Sequence, residues 1–289
     1  MPPQRYLAPR GSIMTNRSGR WADLTRVDFE ALDRARAIVV LPIGATEQHG
    51  PHLPVSVDGD LAEAVVERAL PLVPDDLTVL ALPTLALGKS NEHGKIAGTL
   101  SLSATTLMGI LTDIGESLSK TGFRRLVILN THGGNSSVLD VAARDIKIDF
   151  GLTVATCHWF NFNEATALTD PSEQAYGIHA GLVETSAMLA LKPERVVMER
   201  AANFPNRAQD WQASFRHLGL SAGRARPAWV MDELNDAGAC GDAASATAAM
   251  GGQLLANAAC NFADFLAEFD RFCDGQTGPG QTDPRPGST

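Results

Sequence analysis

The stretch LPIGATEQHGPHLPVSVDGD, Leu41 to Asp60, sets Glu47, His49, His52, Asp58 and Asp60, with the neutral Gln48 among them, directly after an apolar run. That run, AIVVLPIG at 37–44, is apolar throughout rather than alternating, the pattern of a strand buried on both faces. Three further runs share it: LTVLALP at 77–83, RLVILN at 125–130 and LTVATCHWF at 152–160. Helical spacing runs through 60–73, 103–122 and 135–151, and again through 179–191 and 242–272. Ser103 can cap the second of these helices, Gly122 ends it, and Asn135 or Ser136 can cap the third. Strands alternating with helices predict an α/β fold with a mostly parallel sheet covered on both faces. The polar segment 161–178 reads as a long loop, and 203–240 as an excursion or lid rather than a second domain.

Composition narrows the function. The chain has 289 residues, 44% of them hydrophobic and 20% charged, which is ordinary globular composition with room for a large core. A net charge of −9 speaks against a nucleic-acid or anionic-membrane partner. The four cysteines form no CxxC pair, which fits a reducing compartment and argues against a zinc ribbon or a disulfide framework. No stretch approaches the roughly 20 apolar residues of a membrane-spanning helix. MPPQRYLAPRGSI lacks the apolar segment of a secretory signal, so the cytoplasm is the expected location. Residues 1–20 read as a disordered leader, with Met14 as an alternative start to Met1. Residues 273–289, rich in Gly, Pro, Ser and Thr, read as a disordered tail, leaving one domain over 21–272.

In open parallel sheets, ligands sit in the crevice outside the carboxyl ends of the strands. Each polar cluster of this chain follows a predicted strand: the opening stretch, NTHGGNSS at 130–137, and CHWFNFN at 157–163. Glu47 and His49, two apart in an extended segment, point the same way. Asp58 is expected just before helix 60–73, able to cap it and to reach back to a metal. Gly133 and Gly134 let the backbone beside His132 approach a ligand closely. Histidines and carboxylates without a thiolate suit Zn²⁺, Mn²⁺ or Fe²⁺. Taken singly, these residues carry little: charged side chains are mostly surface groups, and His93, His158 and His217 each read first as solvated. Their co-location at strand ends is what points to a site. THGGNSS also reads as an anion cradle at a helix N-terminus, but it has neither the lysine of a P-loop nor GxGxxG spacing. No GxSxG elbow or recognisable cysteine nucleophile motif is present.

In chain order, LPIGATEQHGPHLPVSVD, NEHGKIAGTLSLS, GFRRLVILNTHGGN, HAGLVETS and GACGDAASAT resemble the creatininase (creatinine amidohydrolase) family from about Trp21 to about Ala267. The resemblance implies a three-layer α/β/α fold, a hexameric assembly and two divalent ions per subunit. Carried over, Glu47 and His49 bind one ion each, Asp58 bridges them, and His132 completes the first ion's ligands. Creatininase has a glutamate where this chain has Gly134; in relatives with HGGN the glutamate of ETS, here Glu184, is the replacement. His179 resembles the family's active-site histidine, donating to an oxyanion or shuttling a proton, and with Glu184 makes up the expected catalytic pair. Glu92, His93, Gly133 and Gly134 are expected to bind substrate. Asn130 and Asn135 would orient the ligands, Gln48 would turn away from the metals, and His52 would support the pocket without ligating.

The chain departs from creatininase at Gly133, Ala175 and Ile178, where that enzyme has a substrate-contacting tyrosine, a tryptophan and a glutamate, so creatinine is not the expected substrate. The reading is a dinuclear-metal hydrolase of a small amide, cyclic or formylated. The alternatives are a lactone or keto-ring hydrolase, a non-catalytic metal or metabolite binder, and a phosphosugar or nucleotide enzyme using THGGNSS.

Overall fold

The computed structural model describes residues 18–220 and 223–276. Five strands make one sheet: β1 (Gly19–Arg20), β2 (Ile38–Ile43), β3 (Val79–Ala81), β4 (Arg125–Asn130) and β5 (Thr153–His158). Their order is β1-β3-β2-β4-β5, and every pairing is parallel. All six residues of β2 are buried, and successive side chains enter different cores. Ile38 and Val40 join Val127 and Leu129 in one core; Val39, Leu41 and Ile43 join Leu126 and Ile128 in the other. A strand pointing alternate side chains into two apolar layers has no polar face to offer, hence its unbroken apolar run.

The helices are α1 (Arg26–Ala31), α2 (Val57–Ala69), α3 (Ala104–Lys120), α4 (Ser136–Phe150), α5 (Pro171–Tyr176), α6 (Leu182–Leu191), α7 (Ala208–Ser214), α8 (Met231–Leu234) and α9 (Ala248–Gln276). Leu61 and Val65 of α2, Met188 of α6 and Phe262 of α9 close the first core; Leu107 and Leu111 of α3 with Leu139 and Ile146 of α4 close the second. The expected three-layer α/β/α arrangement is therefore the one found. The chain leaves β2 through α2 toward β3 and leaves β4 through α4 toward β5, in opposite directions along the sheet. Right-handed crossovers then carry α2 and α4 to opposite faces, and a crevice opens between the carboxyl ends of β2 and β4.

Several boundaries differ from the sequence expectation, each for a local reason. Helix α2 starts at Val57, so Asp58 lies in its first turn and not ahead of it. The expected helix 179–191 begins only at Leu182, because the residues before it leave helical geometry: His179 pairs with Cys240, and Ala180 takes a left-handed φ of 53°. Ser103 does cap α3, accepting from Thr106 N at 3.1 Å. Asn135 does not cap α4; its amide donates instead to Gly44 O at 3.0 Å and accepts from Lys89 N at 2.9 Å.

Residues 203–220 and 223–240 are structured. β6 (Asn203–Phe204) pairs antiparallel with β7 (Gly241–Asp242), and Leu220, Met231, Leu234 and Cys240 form a third core against Ile96, Ile178 and Trp229. The excursion thus walls one side of the crevice. At the N-terminal end, β1 pairs with β3 and Ser18 Oγ donates to Leu77 O, so order begins before residue 21. Helix α9 runs on to Gln276, where Arg125 pairs with Asp270 and Asp274. The rest of the expected leader and tail, 1–17 and 277–289, lies outside the described residues. No helix among the described residues is long and apolar enough to cross a membrane.

Candidate metal centre

Level strand ends build the centre. Ile43 of β2 sits opposite Asn130 of β4, so the residues after each strand emerge side by side. His132 Nδ1 lies 3.2 Å from Glu47 Oε1 and 3.4 Å from Asp58 Oδ2. His49 Nε2 lies 3.4 Å from Asp58 Oδ1 and 3.9 Å from Glu184 Oε2. Asp58 is therefore shared by two histidines, and Glu184 reaches the cluster from the first turn of α6. Three sets of donors lie close enough together to hold an ion: Glu47–Asp58–His132, His49–His179–Glu184 and Glu47–His93–His179. Every residue in these sets is buried.

Main-chain groups orient the rings. His49 Nδ1 faces the carbonyl of Glu47 at 3.0 Å, and since a carbonyl only accepts, Nδ1 holds the proton and Nε2 is bare for a metal. His132 Nε2 faces Lys89 O at 3.0 Å, which by the same reasoning leaves Nδ1 bare toward Glu47 and Asp58. Ser90 Oγ donates to Glu47 Oε2, and Ala180 N donates to Glu184 Oε2 at 2.6 Å.

The electrostatics call for positive charge. Burial disfavours a charged His49, yet Asp58, Glu184 and Glu47 outweigh it and push the ring up to about 10. Burial also opposes charge on His132, but Glu47, Asp58 and Glu92 raise it to about 9. Glu47 stays well below the usual carboxylate range despite its burial, held there by His132, His179 and His93. Burial and then Glu47 raise Asp58; burial, partly offset by His49, raises Glu184 to about 7. Three buried carboxylates thus keep protons on two histidines. Divalent ions supply the same charge and leave the rings neutral. Among the described residues, His49 Nε2 and Asp58 Oδ2 are buried without a hydrogen-bond partner, as metal-facing atoms would be. The donor set, its orientation and these two atoms fit divalent metal ions.

The remaining expected residues sort clearly. Glu92 Oε1 lies 3.6 Å from His132 Nε2, and His93 Nε2 lies 3.7 Å from Glu47 Oε1, so both border the centre. Gly133 faces open space, whereas a side chain at Gly134 would run into Glu92, His132 and the Lys89 carbonyl. A side chain at Gly134 would therefore displace part of this centre. Asn130 Nδ2 donates to His132 O at 2.7 Å, holding the turn. His52 bonds Thr185 Oγ1 at 2.9 Å and stacks on Phe204, a supporting position away from the ligand sets. Gln48 does more than turn aside: its amide lies between His93 and His179, 2.8 Å from one and 3.3 Å from the other.

Two buried groups escaped the sequence reading. Ser90 precedes NEH with nothing to mark it. Glu173 lies in an expected loop, yet its carboxylate accepts from Leu182 N and Asp242 N, both at 2.8 Å, tying the start of α6 to β7. The surrounding Gly177, Gly181 and Gly241 leave room for it, since a side chain at any of them would strike that carboxylate.

Known proteins resemble this chain in sequence and fold. The profile of the creatininase family, described as creatinine amidohydrolase, matches residues 22–266. A mycofactocin precursor peptide peptidase from Mycobacterium tuberculosis is 34% identical over 238 residues, covering 75% of this chain and 80% of its own. A creatinine amidohydrolase from Pseudomonas putida is 34% identical over 200 residues, covering 63% of this chain and 75% of its own. A solved structure described as creatininase Mn superposes with a TM-score of 0.69 at 27% identity, covering 87% of this chain and 98% of that one. With the fold, the strand-end ligands and these likenesses together, the chain belongs to the creatininase family of amidohydrolases.

Proposed function

We propose that this chain is a dinuclear-metal hydrolase that opens or cleaves a small amide, a cyclic amide or a formamide. One observation carries the reading: Asp58 is within 3.4 Å of His49 on one side and of His132 on the other, the disposition of a carboxylate shared by two ions. Glu47, Asp58 and His132 would hold one Zn²⁺, Mn²⁺ or Fe²⁺, and His49, Asp58 and Glu184 the other. When bound, such ions bring the pKa of a water toward neutrality and polarise a carbonyl.

The protein's own groups supply the rest. His93 and His179 both approach Glu47 Oε1, at 3.7 and 3.6 Å, and can hold a carbonyl oxygen and move a proton toward a leaving nitrogen. Burial pushes His93 down to about 4 and, with His49 and His93, holds His179 well below its usual value. Gly133, with nothing within 4 Å of where a side chain would start, leaves space where creatininase has a tyrosine, which speaks against creatinine. The peptidase relative and the creatininases differ in substrate but share an amide carbon–nitrogen bond as target, which favours an amide here.

The test is a substrate panel on metal-reconstituted protein: hydantoins, N-formyl aminopyrimidines, lactones and short peptides, with products identified by mass spectrometry. Amide hydrolysis that disappears on chelation and returns with metal is the expected result. Ligand binding without turnover across the panel would overturn the reading.

A further inference from the structure

We propose that Gln48 is a positioning residue that fixes which ring nitrogens of His93 and His179 carry a proton, making His93 the N–H donor and His179 the bare-nitrogen acceptor of the site. Gln48 is 5% exposed, and main-chain groups set the orientation of its amide. Oε1 accepts from Gly50 N at 2.9 Å, and Nε2 donates to Gly238 O at 2.9 Å. A backbone N–H only donates and a carbonyl only accepts, so exchanging the amide's ends would break both bonds.

Two left-handed glycines make this cradle possible. Gly50 has φ 67° and Gly238 φ 73°, a region L-residues avoid, and a side chain at Gly238 would strike the Gln48 amide.

The second hydrogen on Gln48 Nε2 goes to His93 Nδ1 at 2.8 Å. That nitrogen must accept, so the neutral ring carries its proton on Nε2, the atom facing Glu47 Oε1. The backbone of Gln48 does the opposite for its other neighbour. His179 Nε2 lies 2.7 Å from Gln48 O, which only accepts; the proton sits there, and His179 Nδ1 is left bare, 3.6 Å from the same Glu47 oxygen. The two rings are 4.3 Å apart. A single residue therefore presents a donor and an acceptor side by side at the centre. The oxyanion-donor role expected of His179 falls to His93, and His179 is left to take up a proton. A proton on His93 Nε2 also removes the Glu47–His93–His179 set as a third metal site.

The catalytic roles rest on the hydrolase reading above; the proton positions do not, and the experiment reads the positions. Zinc-loaded, full-length protein labelled with ¹⁵N-histidine gives ring ¹⁵N–¹H correlations that distinguish Nδ1–H from Nε2–H, with His93→Gln and His179→Gln assigning the signals. The expected wild-type spectrum has Nε2–H for both rings. In Gln48→Glu the carboxylate cannot donate, so His93 acquires a proton on Nδ1 while zinc content is unchanged. For any amide the wild type hydrolyses, kcat then falls about 100-fold at similar KM. Nδ1–H on wild-type His93, or a folded Gln48→Glu protein whose His93 signal does not change, overturns the inference. Loss of zinc with both ring patterns kept would mark Gln48 as merely structural and also overturn it. The expected ring pattern in a protein that hydrolyses no amide would support the inference while the hydrolase reading fails.

Discussion

Nδ1 of His132 stands 3.2 Å from Oε1 of Glu47, one at the end of β4 and the other beyond the end of β2. The contact exists because the parallel register leaves Ile43 and Asn130 level, so the two loops leave the sheet at the same height. The consequences of that convergence can be measured.

Gly134 lies against the back of the His132 ring. A methyl group there would meet Glu92, His132 and the carbonyl of Lys89, and a carbonyl in a packed turn cannot move aside cheaply. Gly134→Ala is expected to cost about 1–3 kcal/mol of stability and to weaken the ion held by Glu47, Asp58 and His132. Gly133→Ala, with open space around it, should leave both unchanged. Thermal melts and metal analysis of the pair check this; equal behaviour of the two variants would contradict it.

Helices α6 and α9 meet at Gly251, where a methyl group would overlap the carbonyl of Ser186. Gly251→Ala should destabilise by about 1–3 kcal/mol through overpacking. One residue on, Gly252 faces nothing within 4 Å. Gly252→Ala should stabilise by up to about 1 kcal/mol, because alanine is the better helix former. Urea midpoints moving in opposite directions are the expected result.

Much of this was legible in the sequence, and the reason differs by element. The apolar runs of β2, β3 and β4 were legible because strands buried on both faces leave no other pattern, whereas β5, at the sheet edge, is half-buried throughout despite its apolar run. Glu47, His49, Asp58 and His132 were legible because they follow those strands closely. Glu184 and His179 rested on resemblance, since α6 lies far along the chain and only the fold brings it to the crevice. Gln48 and Ser90 were opaque: nothing local tells an amide in a surface turn from one buried between two histidines. Glu173 was hidden by a polar stretch that reads as loop, while its partners are backbone N–H groups from remote glycine-flanked turns.

His158, at the end of β5, offers a pH test apart from the ligands. Burial first, and then the charge of His132, pushes it down to about 4, whereas an unfolded histidine titrates near about 6.5. Between those values the unfolded chain binds a proton that the native protein does not, so stability rises with pH. The contribution is fully present above about 6.5 and is lost on acidification toward 4, by at most about 1.4 kcal/mol per pH unit. Denaturation of metal-free protein in pH steps should show a shallower acid loss for His158→Gln than for wild type. Identical slopes would mean that His158 is already charged in the fold.

The central claim is that Asp58 is shared between two ions, and metal content per chain, in wild type and in Asp58→Ala, tests it most directly. Protein purified without added metal and reconstituted with zinc or manganese should carry about two ions per chain, with both lost or severely weakened in Asp58→Ala while the fold, read by circular dichroism, persists. A folded Asp58→Ala protein that keeps both ions, or a wild type that takes up none, would contradict it.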